Sequence, residues 1–184
     1  VDQAPAWRSL VDLARSGDVD AFESLVRTRM DAMYRLSLAI LGDESDAADA
    51  TQETFVTVWR RLPQLRDLDR FDAWLGRVAV NSCRMVLRAR GRRRVRELPL
   101  ADMDPAHERA VGPADASRRD GEILKAALRC LSLDHRAILA LHHLEDRPVV
   151  EVAEILGIPV GTAKSRLFNA RAALDKALRQ EEAR

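Results

Sequence analysis

Aromatic residues are scarce: Phe, Trp and Tyr make up 4% of the 184 residues. Strand-rich folds lean on aromatic and β-branched side chains. Here Ala, Leu and Arg dominate instead, which favours helix. Cysteine is scarcer still. Two cysteines in a chain this long cannot form a disulfide framework, and they suit a reducing cytoplasm. No apolar run approaches the ~18 residues needed to cross a bilayer. No basic-then-apolar leader precedes the first polar residues, so neither export nor membrane insertion is expected. Net charge is also nearly absent, since 30 Lys+Arg stand against 29 Asp+Glu. What remains is a hydrophobic fraction of 47%, enough for a buried core. The length fits one medium domain or two small ones.

Hydrophobic spacing predicts helices throughout. Trp7 to Arg15 is short and stops at Ser16-Gly17-Asp18. From Asp18 the set Phe22, Leu25, Val26, Met30, Met33, Tyr34, Ser37, Ile40, Leu41 keeps a 3.6 period up to Gly42. Ser45 is placed to cap a third helix that buries Ala48, Thr51, Phe55, Val58, Trp59 and Leu62. A fourth helix carries the stripe Phe71, Trp74, Leu75, Val78, Ala79, Ser82, Val86. Residues 97–120 lose this periodicity to Pro99, Pro105, Gly112 and Pro113, and read as an acidic flexible linker. Beyond it, Leu124, Ala127, Leu128 and Leu131 mark one helix, and Ala137, Ile138, Leu141 and Leu144 another. A short helix at 149–156, a turn at Gly157-Ile158-Pro159 and a long helix to about Arg179 complete the chain. The expectation is an all-α protein of two small helical domains, 1–96 and 121–184, joined by 97–120.

The near-zero net charge conceals sorting. Residues 42–53 hold Asp43, Glu44, Asp46, Asp49 and Glu53 and no base. Residues 84–96 hold Arg84, Arg88, Arg90, Arg92, Arg93, Arg94 and Arg96 and no acid. Residues 158–180 hold Lys164, Arg166, Arg171, Lys176 and Arg179 against Asp175 alone. Two basic blocks flanking an acidic stretch suggest two contacts with one polyanion. The alternative is a set of solvated helix faces. The +7 block can also be attracted to the acidic third helix and linker, giving compact forms that hide the basic surfaces.

Two helices carry the sharpest signals. Opposite the apolar stripe of the fourth helix, Arg77, Asn81, Arg84 and Arg88 fall within about 60° of arc. Arginines hold phosphates and Asn can read a base edge. In the C-terminal part, Gly157 supplies a tight turn, small Ala153 permits close approach, and Ala163, Leu167, Ala170 and Leu174 point inward. This is helix-turn-helix geometry. Its second helix then presents Ser165, Phe168, Asn169 and Ala172 outward, flanked by Lys164 and Arg166. The third helix has the opposite sign, with Asp46, Asp49 and Glu53 on one face and Gln52 at its margin. Such a face repels DNA, binds a basic protein surface or is simply solvated.

Catalysis finds little support. His142 and His143 are adjacent and diverge by about 100° on a helix, so they cannot chelate together. Cys83 and Cys130 stand singly and read as core thiols. There is no phosphate-cradling Gly-rich loop and no metal-ligand spacing. Neither an enzyme nor a cofactor is expected.

Three stretches, in order, resemble one family. Asp46-Ala-Ala-Asp49-Ala-Thr-Gln52-Glu53-Thr-Phe55-Val-Thr-Val-Trp59 is similar to region 2.2 of bacterial sigma factors. Phe71-Asp-Ala-Trp74-Leu75-Gly-Arg77-Val-Ala79-Val-Asn81 resembles regions 2.3 and 2.4, and Leu156 to Arg171 resembles the region 4.2 helix-turn-helix. The short linker matches the extracytoplasmic-function subfamily. The resemblance implies a dissociable subunit of RNA polymerase that recognises promoters. Asp46, Asp49, Gln52 and Glu53 would contact the clamp helices of core RNA polymerase. The loop from Leu62 to Arg70 and the Arg77, Asn81, Arg84, Arg88 face would engage the minus-ten element of promoter DNA. Lys164, Ser165, Arg166, Phe168 and Asn169 would read the minus-thirty-five element. An anti-sigma factor is a further implied partner. The sequence departs from the family's habits at Met85, Leu133, Pro148 and Asn169, so the promoter cannot be copied from a relative. The rival readings are a stand-alone helix-turn-helix regulator and a nuclease.

Overall fold

The computed structural model describes residues 6–96 and 116–183, with side chains for 7–91 and 119–183. The linker expectation for 97–115 and the side chains of Arg92 to Arg96 lie outside that description. The N-terminal half consists of α1 (Ala6–Arg15), α2 (Val19–Leu41), α3 (Glu44–Arg61) and α4 (Phe71–Arg96). Two 3₁₀ turns, Leu62–Gln64 and Leu68–Arg70, bridge α3 and α4. The C-terminal half consists of α5 (Ala116–Arg129), α6 (Leu133–Leu139), α7 (Val149–Leu156) and α8 (Val160–Glu182). Helix α5 thus starts inside the segment read as linker.

The helix ends follow from local chemistry. Asp18 accepts a hydrogen bond from the Ala21 amide at 2.9 Å and starts α2. Gly42, at φ 71°, stops it and returns its amide to the Leu38 carbonyl at 2.8 Å. The cap of α3 is Asp43, whose Oδ1 accepts from the Asp46 amide at 2.9 Å. Ser45, expected as the cap, lies inside the helix and is exposed. An aspartate two residues earlier offers a carboxylate to the same orphan amides and also favours the positive helix end.

Phe71, Leu25, Leu36, Ile40, Leu62, Leu75 and Val58 fill the N-terminal core. Because α3 packs against both α2 and α4, its buried arc is centred on Ala47, Ala50, Thr51, Thr54 and Val58. Ala48, expected inside, is therefore exposed, and Trp59 is 40% exposed at the margin of the arc. The buried hydroxyls of Thr51 and Thr54 donate to the carbonyls of Ala47 and Ala50 at 2.7 Å each, so neither is left unpaired.

In the C-terminal half, α8 packs against α5, α6 and α7 through Ala163, Leu167, Ala170 and Ala177. Gly157, at φ 68°, ends α7, and Ile158 packs against the core as the helix-turn-helix reading requires. Leu144 is exposed rather than inward. A π-helical turn over Ala140–Leu144 follows α6. The wider winding advances the register and takes Leu144 off the face that Ile138 and Leu141 bury. Leu124 is likewise exposed, with Ile123 taking more of the inward position on α5.

The halves touch along two lines, α7 on α4 and α6 on α2. On the first, Ile155 packs close to the α4 backbone at Gly76, where a Cβ would lie 3.4 Å from both its Cδ1 and Cγ2, an ordinary van der Waals contact.

Asp43→Ala should lower stability by about 1 kcal/mol, as expected for loss of a helix N-cap. Ser45→Ala should leave the urea midpoint unchanged. The comparison of the two midpoints shows which residue caps α3.

Candidate nucleic-acid interface

Helix α4 carries the stripe read as DNA-facing, and the structure keeps its four members together. Three of them are already hydrogen-bonded within the protein. Arg77 donates from its guanidinium to the main-chain carbonyl of Glu154, and from Nε to that of Ile155 at 3.4 Å. These carbonyls lie in the last turn of α7, where the dipole is negative; that of Glu154 also accepts from the Gly157 amide at 3.2 Å. Arg84 donates to Asn81 Oδ1 and to Asp134 Oδ1, both at 3.1 Å. Arg88 is exposed and has no such partner among the described residues. In the loop before α4, Arg70 pairs with Glu154 at 3.4 Å.

The face of α8 is in a different state. Lys164, Ser165, Phe168 and Asn169 are all exposed, Phe168 at 73%. Ser165 donates its hydroxyl to the Thr162 carbonyl at 3.1 Å, which leaves its oxygen able to accept. Arg166 is the exception: it is half-buried and lies 3.6 Å from Asp134. Asp134 thus sits between one arginine from each of the two candidate reading helices. The Arg block was expected to be drawn to the acidic third helix and the linker. Arg90 does pair with Asp46 of α3 at 2.9 Å, and the linker lies outside the described residues. Arg84 and Arg70 meet two further acids, Asp134 and Glu154, on helices whose mutual placement no local pattern encodes.

The acidic face of α3 is divided. Asp46 pairs with Arg90 of α4 at 2.9 Å. Glu53 accepts from the Thr57 hydroxyl at 3.4 Å. Asp49 and Gln52 are exposed and have no such partner among the described residues. Beside Gln52, a largely apolar groove of about 780 Å³ opens between α2 and α3, lined by Phe22, Val26, Met30, Tyr34, Phe55 and Trp59 among others. The sequence reading missed it because Trp59 was assigned to the core. Its ring lies 4.8 Å from that of Phe22, so it packs in the groove wall while staying partly wet.

The second line of contact mirrors the first. Arg136 of α6 reaches the C-terminal end of α2 and donates to the Leu41 carbonyl at 3.4 Å, close to Gly42. Burial lowers its pKa, and its Nε has no hydrogen-bond partner among the described residues. Cys83 lies nearby, fully buried. Burial pushes its thiol from 9.0 up to about 11, against a hydrogen bond to Ser37 and the charge of Arg136, which pull the other way. Cys130 is exposed, contrary to its reading as a core thiol.

His142 and His143 lie with ring centroids 4.7 Å apart. Each is committed elsewhere, His142 Nδ1 to the Arg147 carbonyl at 2.8 Å and His143 Nε2 to the Arg171 Nε–H at 3.2 Å. Among the described residues, no group of three or more His, Cys, Asp or Glu could hold a metal ion. No described helix is long and apolar enough to cross a membrane.

A helical chain that carries a basic stripe in one half and a helix-turn-helix in the other has the construction of a two-contact DNA-binding protein. Known proteins narrow that class. Residues 25–93 match Sigma-70 region 2, and residues 121–174 match Sigma-70, region 4. The chain is 33% identical over 180 residues to the RNA polymerase sigma-H factor of Pseudomonas aeruginosa, covering 93% of each. It is 30% identical over 172 residues to the ECF RNA polymerase sigma-E factor of Haemophilus influenzae, covering 89% of this chain and 90% of that protein. The solved structure of CnrH in complex with the cytosolic domain of CnrY superposes with a TM-score of 0.71 at 27% identity, covering 96% of this chain and 99% of that one. The chain belongs to the extracytoplasmic-function sigma factors, and it is an alternative sigma factor of this group.

The two thiols should behave differently. In the native protein a thiol reagent at pH 8 should modify Cys130 at once and Cys83 only after denaturation. The raised pKa of Cys83 also fixes a sign. Its contribution to stability is whole below pH 9.0 and is lost as pH rises towards about 11, because the unfolded thiol ionises first. A Cys83→Ala variant should lose less stability than the parent across that window, measured by urea midpoints.

Proposed function

We propose that this sigma factor engages core RNA polymerase through α3 and reads promoter DNA at two separate places. The observation that carries this reading is the separation of charge and chemistry onto three helices: acids on α3, an Arg-Asn-Arg-Arg stripe on α4, and an exposed Lys-Ser-Phe-Asn face on α8. Residues 1–96 form the polymerase- and downstream-binding unit, 97–120 the connecting segment, and 121–184 the upstream-binding unit. Asp49 and Gln52 present polar groups to a basic surface of the polymerase, with Asp46 and Glu53 behind them. The Arg77, Asn81, Arg84 and Arg88 stripe takes the minus-ten element, where capturing a base costs the unstacking of a few kcal/mol. Lys164, Ser165, Arg166, Phe168 and Asn169 enter the major groove at the minus-thirty-five element.

The protein does no chemistry of its own and works in the cytoplasm, where polymerase is. An anti-sigma protein partner is consistent with the CnrH neighbour, which was solved with a second protein domain bound. Run-off transcription with core polymerase on genomic fragments, followed by mapping of the start sites, tests the reading as a whole. Absence of sequence-dependent starts would overturn it.

Two sets of variants test its parts. Asp49→Arg with Glu53→Arg should abolish binding to core polymerase while the circular-dichroism melt is kept, because charge on a wet face changes partner affinity and not the core. Asn81→Ala should alter preference at one downstream position, and Asn169→Ala at one upstream position, each by about 1–3 kcal/mol. A uniform loss over all promoter variants would make either residue a phosphate contact.

A further inference from the structure

Helix α1 carries none of the motifs found in the sequence, yet it holds the loop between α3 and α4 at two points. Arg15 donates from Nη1 to the main-chain carbonyl of Leu65 at 3.3 Å. Asp12, one turn earlier on α1, accepts from its Nη2 at 2.8 Å and fixes the direction of the guanidinium. Arg8, about two turns before Arg15, pairs with Asp69 at 2.9 Å. Trp7 and Leu10 of α1 pack against the same core as Leu65 and Leu68 of the loop, and Val11 is fully buried there.

The loop has few bonds of its own. Each 3₁₀ turn is three residues long and closes on one main-chain bond, from the Leu65 amide to Leu62 at 3.0 Å and from the Arg70 amide to Asp67 at 3.3 Å. Asp67 accepts from the Asp69 amide at 3.0 Å. The ends are anchored, Leu62 in the core and Asp72 by Arg29 of α2 at 3.1 Å. The middle, from Leu65 to Asp69, is fixed from outside by α1. Gln64 and Arg66, on either side of the carbonyl that Arg15 holds, are exposed and have no partner among the described residues. An amide suits a base edge, and a guanidinium suits a phosphate or a guanine.

We infer that α1 is a positioning element for promoter reading: Arg15 and Arg8 set the backbone of the loop, so that Gln64 and Arg66 meet a base drawn from the stack at a fixed place. The inference rests on the reading of the loop and the α4 stripe as the minus-ten surface. An extruded base is chosen by groups that already stand around it. A loop that had to be ordered at the moment of binding would lose affinity and blur the choice. Arg15 and Arg8 act through the loop and not on the DNA. The fork of Arg15 suits the task, because it meets the Asp12 carboxylate and the Leu65 carbonyl at once.

This role is separable from one in stability. Arg8 and Asp69 keep 43% and 61% of their side-chain surface, and Arg15 and Asp12 keep 36% and 56%. Pairs so exposed contribute little to folding. Their removal should leave the thermal melt in place and change what the loop selects.

The test is run-off by holoenzyme carrying the full chain, on a mapped promoter and on its variants at each minus-ten and minus-thirty-five position. Arg15→Met keeps most of the stem and removes the donors. It should cut discrimination between bases by about five-fold at one or more minus-ten positions, the lower end of what a lost base contact costs. The ranking at the minus-thirty-five positions should stay as in the parent. Arg27→Met, which removes an arginine paired with Glu23 inside α2, should leave both rankings as they are. An unchanged minus-ten ranking, or a loss shared equally by all promoters, would overturn the inference.

Arg8→Met carries the same expectation from a more exposed pair, and it decides the matter if Arg15→Met does not fold. Amide exchange in the free protein is an independent readout. Residues 65–69 should exchange faster in either variant than in the parent, with the buried middle of α4 unchanged, and equal exchange would overturn the inference. Failure of the underlying reading shows separately. Gln64→Ala with Arg66→Ala would then leave the minus-ten ranking untouched, whereas failure of the inference alone leaves that double variant effective and the α1 variants silent.

Discussion

Every helix ends with carbonyls that its own backbone cannot satisfy, and here two of those ends are answered from the opposite half of the molecule. Arg77 of α4 covers the end of α7, and Arg136 of α6 covers the end of α2. The exchange is reciprocal, each half giving one guanidinium and receiving one. It suits the chemistry of both groups. A planar cation with several donors can meet the negative end of a helix at more than one oxygen, and it keeps its charge even where burial disfavours it. The apolar contact between Gly76 and Ile155 lies beside one exchange, and Ser37 with Cys83 lies beside the other. The relation between the two halves follows from these contacts.

This constraint explains why the charged residues divide as they do. A bare basic stripe is a hazard in a free protein, because it binds any polyanion. Pairing Arg84 of the stripe with Asp134, and Arg90 further along α4 with Asp46, neutralises part of the basic surface at little cost to solubility. Exposed pairs of this kind contribute little to stability and weaken with salt. That weakness lets the same arginines be handed over to another anion. Asp49 and Gln52 stand apart from this network, which leaves them unspent for a partner of the opposite sign.

Much of this was legible in the chain. The period of apolar residues located the helices, Gly42 and Gly157 marked two helix ends, and the outward set of α8 followed from placing Ala163 inward. Where the reading failed, the cause was tertiary for α3 and local elsewhere. Ala48 and Trp59 were placed by the stripe of a helix with one neighbour, whereas α3 has two. Leu144 was placed by an α-helical period that the π turn interrupts. Ser45 lost the capping position to an aspartate that was equally visible. The family resemblance came from three motifs in order, yet nothing in those motifs shows that Arg77 and Arg84 face α7 and α6. Asp134 and Glu154 looked like ordinary surface acids, because the helices that bring them to α4 meet it only in the folded chain.

The bond from Arg77 to α7 has one more property. Its acceptors are main-chain oxygens, so the identities of residues 154 and 155 do not enter into it. Either side chain could be exchanged and the two carbonyls would still be there, provided the helix stopped at the same place. What stops it is Gly157, whose positive φ terminates α7 without touching Arg77. The partner of Arg77 is thus specified by a glycine far along the chain, and the coupling between them would leave no matched pair of side chains for a comparison of related sequences to detect.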